Sequence, residues 1–170
     1  MNQFTTVKPD DFHKSSFQTI GKDWMLVTAG NEEKANTMTA SWGGFGIMWG
    51  KPVAFVVIRP QRYTKEFIDK ENCFSLSFLP NQYRQQLNYL GTVSGRNEDK
   101  ITKSNLTLAY EKQIPYFSES NVIMFCKTLY QQEMKPTCFL LPELDEKWYA
   151  NKDYHTLYIA EITDIYQKEN

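Results

Sequence analysis

All four arginines of the chain, Arg59, Arg62, Arg84 and Arg96, fall between residues 59 and 96, whereas fifteen lysines are spread along its whole length. A guanidinium is a planar fork suited to phosphate or carboxylate oxygens, so this segment is where anion chemistry is sought first. Arg59-Pro60-Gln61-Arg62-Tyr63-Thr64 places two of these forks and a hydroxyl in the turn between a buried strand and a helix N-terminus, where backbone N–H groups and the helix dipole favour negative charge. Thr92-Val93-Ser94-Gly95-Arg96, with Asp99 and Lys100 close behind, adds hydroxyls, a flexible glycine and two cations. Upstream, Asn36-Thr37-Met38-Thr39-Ala40-Ser41-Trp42 combines small side chains, which let a ligand approach the backbone, with a flat apolar wall at Trp42. Taken singly, each segment has a plainer reading: a solvated Ser/Thr strand face, arginines paired with surface carboxylates, an ordinary polar loop.

Other chemistries fail on spacing. In Gly43–Lys51 (GGFGIMWGK) a phosphate loop would need glycine at position 45, which is Phe45, and Ser or Thr at position 52, which is Pro52. The dinucleotide fingerprint starting at Gly44 would need glycine at position 49, which is Trp49. These glycines are expected to form a bulge or bend between strands, packed by Phe45 and Trp49. His13 and His155 are the two histidines, and neither lies in a GxSxG, HExxH or Cys-His context. Cys73, Cys126 and Cys138 are odd in number, far apart and flanked by apolar residues, so each is expected to be a buried structural thiol and no metal site is expected.

The elements that must position these residues read mainly as strands. Asp23–Ala29, Asn36–Trp42 and Lys51–Arg59 are expected strands, the last buried on both faces. Thr64–Lys70 is expected to be a short helix with Thr64 as its N-cap. Asn72–Leu79 alternates as a half-buried strand. Pro80–Leu90 puts Tyr83, Leu87 and Leu90 on one helical face, with Arg84 in mid-helix and Gly91 beyond its end. Asn121–Gln132, Thr137–Leu141 and His155–Tyr166 are the later strands. This pattern suggests an antiparallel barrel with helical excursions.

A chain of 170 residues with 41% hydrophobic and 23% charged residues fits one globular domain, residues 1–170. Its formal charge of −1 without long like-charged runs argues against nucleic-acid and membrane partners. No run spans a bilayer and the first residues lack a secretory pattern, so a cytoplasmic location is expected.

In sequence order, NxMTxSWGG at 36–44, RPxRYT at 59–64 and GxxSGRxxDK at 91–100 together resemble the flavin reductase-like family with the FMN-binding split-barrel fold, and most of all its flavoredoxin branch. The resemblance covers Trp24 to Lys100 and resumes at His155–Glu161, where relatives usually carry glycine before the glutamate and this chain has Ala160. It implies a Greek-key split β-barrel with short inserted helices, a homodimer, and FMN bound at or near the subunit interface. By position, Asn36, Met38, Thr39, Ala40, Ser41 and Trp42 would border the flavin ring. Arg59, Arg62, Tyr63 and Thr64 would hold its phosphate, and Ser94, Gly95, Arg96 and Lys100 would close the site. The implied activity is hydride transfer from NADH or NADPH to flavin N5, which needs no side-chain acid or base, so no catalytic residue is named. The alternative is a flavoredoxin-type electron carrier serving a redox partner protein. A third possibility is a small barrel binding module whose aromatics are merely core. The aromatic content, 15%, suggests that rings such as Trp49, Tyr116, Phe117 and Trp148 are left for a dimer interface.

Overall fold

The computed structural model describes residues 4–168, so the first three and last two residues of the expected domain lie outside it. Its strands are β1 Phe4–Val7, β2 Met25–Gly30, β3 Ala35–Ala40, β4 Gly43–Met48, β5 Lys51–Ile58, β6 Cys73–Phe78, β7 Leu108–Glu111, β8 Ile114–Phe117, β9 Val122–Glu133 and β10 Thr156–Lys168. The helices are α1 Ser16–Thr19, α2 Thr64–Glu71, α3 Arg84–Thr92, α4 Lys100–Lys103 and α5 Pro142–Trp148. Seven strands form one antiparallel path in the order β3-β2-β6-β9-β10-β5-β4, and β1 joins β10. The first half of β10 pairs with β5 and its last residues pair with β1, so one long strand serves two neighbours on the same edge. Two register shifts against β9, at Ile159/Ala160 and Ile162/Asp164, bend this pair, as bulges do in barrels. The architecture is the mainly β barrel with short helices that the sequence leads one to expect.

The barrel interior is apolar because alternate residues of each strand point inward: Met25, Val27 and Ala29 from β2, Ala54, Val56 and Ile58 from β5, and Tyr158, Ala160 and Ile162 from β10. Phe67 and Ile68 of α2 join this cluster. Outside the barrel, Leu26 packs with Leu87 and Leu90 of α3 and with Phe117. Helix α3 is docked by a further bond, Thr39 Oγ1 donating to the Leu87 carbonyl at 2.6 Å. The Ser/Thr face of β3 is therefore not solvated: Thr37 is fully buried and its hydroxyl lies 2.8 Å from that of Thr28.

Several local expectations are corrected. Strand β6 is buried on both faces, because the β7–β8 hairpin covers its second side and accepts the Ser75 hydroxyl at the Pro115 carbonyl. Strand β5 is less enclosed than expected, with Phe55 and Val57 half-buried, since one of its faces opens towards the site. The Gly43–Met48 stretch is a strand paired with β5, not a bulge. Gly43, at φ 148°, lies so close that a β-carbon would sit 2.3 Å from the Phe55 carbonyl oxygen. Residues 137–141 form no strand; a 3₁₀ turn, Pro136–Cys138, stands there instead. Gly91 lies within α3, and Arg84 is that helix's first residue. Cys138 is exposed and Cys73 half-buried, leaving Cys126 as the buried thiol. Of the four rings expected to be left over, Tyr116 and Phe117 are buried, while Trp49 and Trp148 are 60% and 42% exposed. Among the described residues, no helix is long and apolar enough to cross a membrane.

Candidate functional site

Two adjoining cavities, of about 570 and 180 Å³, open where β3, the β5–α2 turn, the loop after α3 and the end of α5 converge. Met38, Arg59, Arg62 and Trp148 line both, making one continuous cleft. The larger part is also lined by Asn36, Tyr63, Thr64, Ser94, Gly95 and Lys100. The smaller is lined by Thr39, Ala40, Ser41 and Trp42, together with His155. All the candidate residues read from sequence thus meet in one cleft except Arg96. The Arg96 guanidinium donates to the Gln61 carbonyl, pairs with Glu66 and stands over the Tyr63 ring, 4.6 Å from its centroid. It buttresses the wall instead of lining the cavity.

Each wall is held by identifiable bonds. Tyr63 occupies the N-cap position of α2 and Thr64 is its first residue, displaced by one position from the expected cap. The buried Thr64 hydroxyl accepts from Asn36 Nδ2 at 2.8 Å, which ties β3 to the start of α2. Gly95 sits directly against that amide, and the Ser94 hydroxyl accepts from the Arg96 N–H to shape the loop.

The electrostatics are asymmetric. Arg59, Arg62, Lys100 and Lys147 line the larger cavity, and Asp153 is the sole carboxylate among the described lining residues. Asp153 pairs with Arg59 at 2.5 Å and accepts from Gln61 at 2.7 Å, and these two partners hold its carboxyl below the usual range. Arg59 also donates to the Trp148 carbonyl at 2.8 Å. Arg62 and Lys100 have no carboxylate partner among the described residues. Arg62 donates to the Gly91 carbonyl at 2.7 Å, and Lys100 to the Leu90 and Val93 carbonyls at 2.8 Å each. Burial, with Arg59 nearby, lowers the pKa of Arg62. Burial, then Arg62, brings Lys100 down to about 8. Such half-compensated buried cations favour an anion with several oxygens.

At the other end, Trp42 packs edge-on against Trp148, with centroids 4.9 Å apart, and lies 5.2 Å from the His155 ring. His155 is buried, and its Nδ1 shares a 2.8 Å hydrogen bond with the Tyr149 hydroxyl. Burial, then Arg59, lowers its pKa to about 4 despite Asp153, so it is neutral at pH 7. The smaller cavity is thus walled by aromatic and small side chains, suited to a flat ring.

Sequence reasoning missed Gln61, Trp148, Asp153 and His155 as lining residues. Three of these sit on or just after α5, whose one local signal is Pro142 at its first position ahead of Glu143-Leu144-Asp145-Glu146. Arg84, which lies outside the three motifs, is held elsewhere: it donates to the Lys22 and Asp23 carbonyls and stacks on Trp24.

Comparison with known proteins follows the same line. The family model described as "Flavin reductase like domain" matches residues 17–170. No curated protein matches the chain. Among solved structures, flavoredoxin of Desulfovibrio vulgaris (Miyazaki F) is 26% identical, with TM-score 0.68, over 86% of this chain and 69% of that one. Flavoredoxin from Methanosarcina acetivorans is 22% identical, with TM-score 0.68 over the same shares. An FMN-binding domain of a flavin reductase-like enzyme from Shewanella baltica OS155 is 18% identical, with TM-score 0.71, over 97% of this chain and 77% of that one.

Proposed function

Starting from the fact that the chain belongs to the flavin reductase-like domain family, we propose that it is an FMN-binding oxidoreductase, its residues 1–170 acting as one flavin domain. The observation that carries this reading is the cleft's polarity: Arg62 and Lys100, cations without a carboxylate partner among the described residues, at one end, and Trp42 with the small residues of β3 at the other.

The residues fit the group. Arg59, Arg62 and Lys100, with the Thr64 and Ser94 hydroxyls, suit a terminal phosphate of nearly two negative charges. Trp42 and Trp148 shield the ring end from water, and Met38 forms the floor common to both parts. When bound, the flavin would supply the redox chemistry, with NADH or NADPH as its hydride donor. The protein's part is to fix the phosphate, orient the ring and leave one ring face open to the nicotinamide.

The protein is read as a cytoplasmic homodimer whose second subunit covers exposed apolar residues such as Ile47, Trp49, Leu129 and Tyr130. The two flavoredoxins among the structural neighbours support a second reading, an FMN electron carrier working with a redox partner protein. Anaerobic mixing of the FMN-loaded protein with NADH or NADPH separates the two. Rapid loss of the flavin's visible absorbance supports the reductase, and persistence of colour supports the carrier. Failure to bind FMN at all sinks both.

A further inference from the structure

The Tyr149 ring is clamped from several directions. Tyr154 stacks on it with centroids 4.9 Å apart, Phe139 packs at 5.5 Å, and the Arg59 guanidinium stands over it, 5.2 Å from its centroid. Its hydroxyl therefore has a fixed place, 2.8 Å from His155 Nδ1 and 3.5 Å from Met134 Sδ. The phenol has one proton to give. An imidazole nitrogen is a much stronger acceptor than a thioether, so that proton belongs on the bond to Nδ1. A neutral imidazole that accepts at Nδ1 must carry its own proton at Nε2. Nε2 has no partner among the described residues, and it is not among the enclosed unpaired atoms, so it is reachable from the smaller cavity.

We propose that Tyr149 is a positioning residue that holds His155 as the Nε2–H form, so that the smaller cavity presents a neutral N–H donor to a carbonyl oxygen of a ring ligand. A donor of this kind selects ligands with a lone pair at that edge, because a buried N–H left unpaired is costly. It does so without adding a third charge beside Arg59 and Arg62. The groups facing the imidazole are Tyr149 at the end of α5, Arg59 and Arg62 from the β5–α2 turn, Asp153, and the Trp42 ring. The identity of the ligand rests on the flavin reading; the tautomer does not.

The chain has two histidines, and His13 is exposed, so a long-range ¹H–¹⁵N spectrum of the ¹⁵N-labelled, flavin-free protein at pH 7 resolves the question. The expected pattern for His155 is a bare, pyridine-like Nδ1 and a protonated, pyrrole-like Nε2. Tyr149→Phe should shift His155 towards a mixture of tautomers and leave His13 unchanged. Protonation at Nδ1 in the wild-type protein, or an unaltered tautomer in Tyr149→Phe, would overturn the proposal. Because the wild-type spectrum decides the tautomer, poor folding of the variant does not remove the test. FMN is then added: a shift of the His155 Nε2–H signal on binding supports the donor role, and bound FMN with no shift overturns it. If FMN does not bind at all, the flavin reading fails, while the flavin-free spectra still decide the role of Tyr149.

Discussion

Gly95 and Asn36 meet so closely that a β-carbon on Gly95 would lie 2.0 Å from Asn36 Oδ1. The loop after α3 and strand β3 are thus in contact through an amide and a bare backbone, and the amide in turn holds the Thr64 hydroxyl. Gly95→Ala must displace Asn36 or the loop. Loss of the Asn36–Thr64 bond should cost about 1 kcal/mol, and FMN affinity should fall roughly five- to tenfold. Titration of flavin fluorescence checks this, and an unchanged affinity would show that the Asn36–Gly95 wall does not border the ligand.

Arg62 and Arg84 form a matched pair of tests. Arg62→Ala removes a cation from the cleft and should weaken FMN by about 1.5 to 3 kcal/mol, roughly ten- to a hundredfold. Arg84→Ala removes carbonyl bonds and stacking on Trp24, remote from the cleft, so it should lower the melting temperature and leave FMN affinity unchanged. Equal weakening by both variants would mean that the phosphate lies elsewhere.

Lys100 predicts a pH dependence. Its folded pKa, about 8, lies below the ordinary 10.5, so the charged form is penalised on folding. The unfolded chain binds the extra proton between these values, so flavin-free stability should rise as pH goes from 8 to 10.5. At about 1.4 kcal/mol per pH unit, the span amounts to roughly 3.5 kcal/mol at most. FMN affinity should fall over the same window, as the ammonium that faces the phosphate is lost. Denaturant melts and flavin titrations across pH 7 to 10.5 check both signs, and flat curves would remove Lys100 from the account.

How far the sequence could be read depended on whether each feature was local. The β-branched run of β5 and the alternation within β6 and β10 mark strands because inward positions recur every second residue. The β7–β8 hairpin was not legible. Its turn residues, Lys112 and Gln113, take φ values of 49° and 69°, a geometry usually announced by Asn-Gly. Arg96 carried the right chemistry for the cleft, but Glu66 and the Gln61 carbonyl, thirty and thirty-five residues away, hold it in the wall. Asp153 became visible as a lining residue through tertiary placement, since nothing in its flanking sequence distinguishes it, and His155 did so although the family resemblance resumes at His155–Glu161. The clustering of Arg59, Arg62 and Lys100 was legible because two short motifs at strand and helix ends carry all three.

A dimer prediction follows from the surface. Ile47, Trp49, Leu129 and Tyr130 are 71%, 60%, 37% and 41% exposed, and the Trp49 and Tyr130 rings lie 6.4 Å apart as an exposed aromatic pair. Light scattering of the flavin-free protein should give twice the 20.0 kDa chain mass, or a monomer that dimerises as FMN is added. Trp49→Lys should shift that equilibrium towards monomer, and a stable monomer that binds FMN tightly would contradict the interface.

The central claim is that the cleft holds a flavin by its phosphate, and comparing FMN with riboflavin, which has the same ring and no phosphate, tests it most directly. In parallel fluorescence titrations of the purified protein at pH 7, the account predicts saturable binding of one FMN per chain. Riboflavin should bind at least about tenfold more weakly, as expected when one or more charge-assisted bonds are lost. No FMN binding, or riboflavin bound as tightly as FMN, would contradict it.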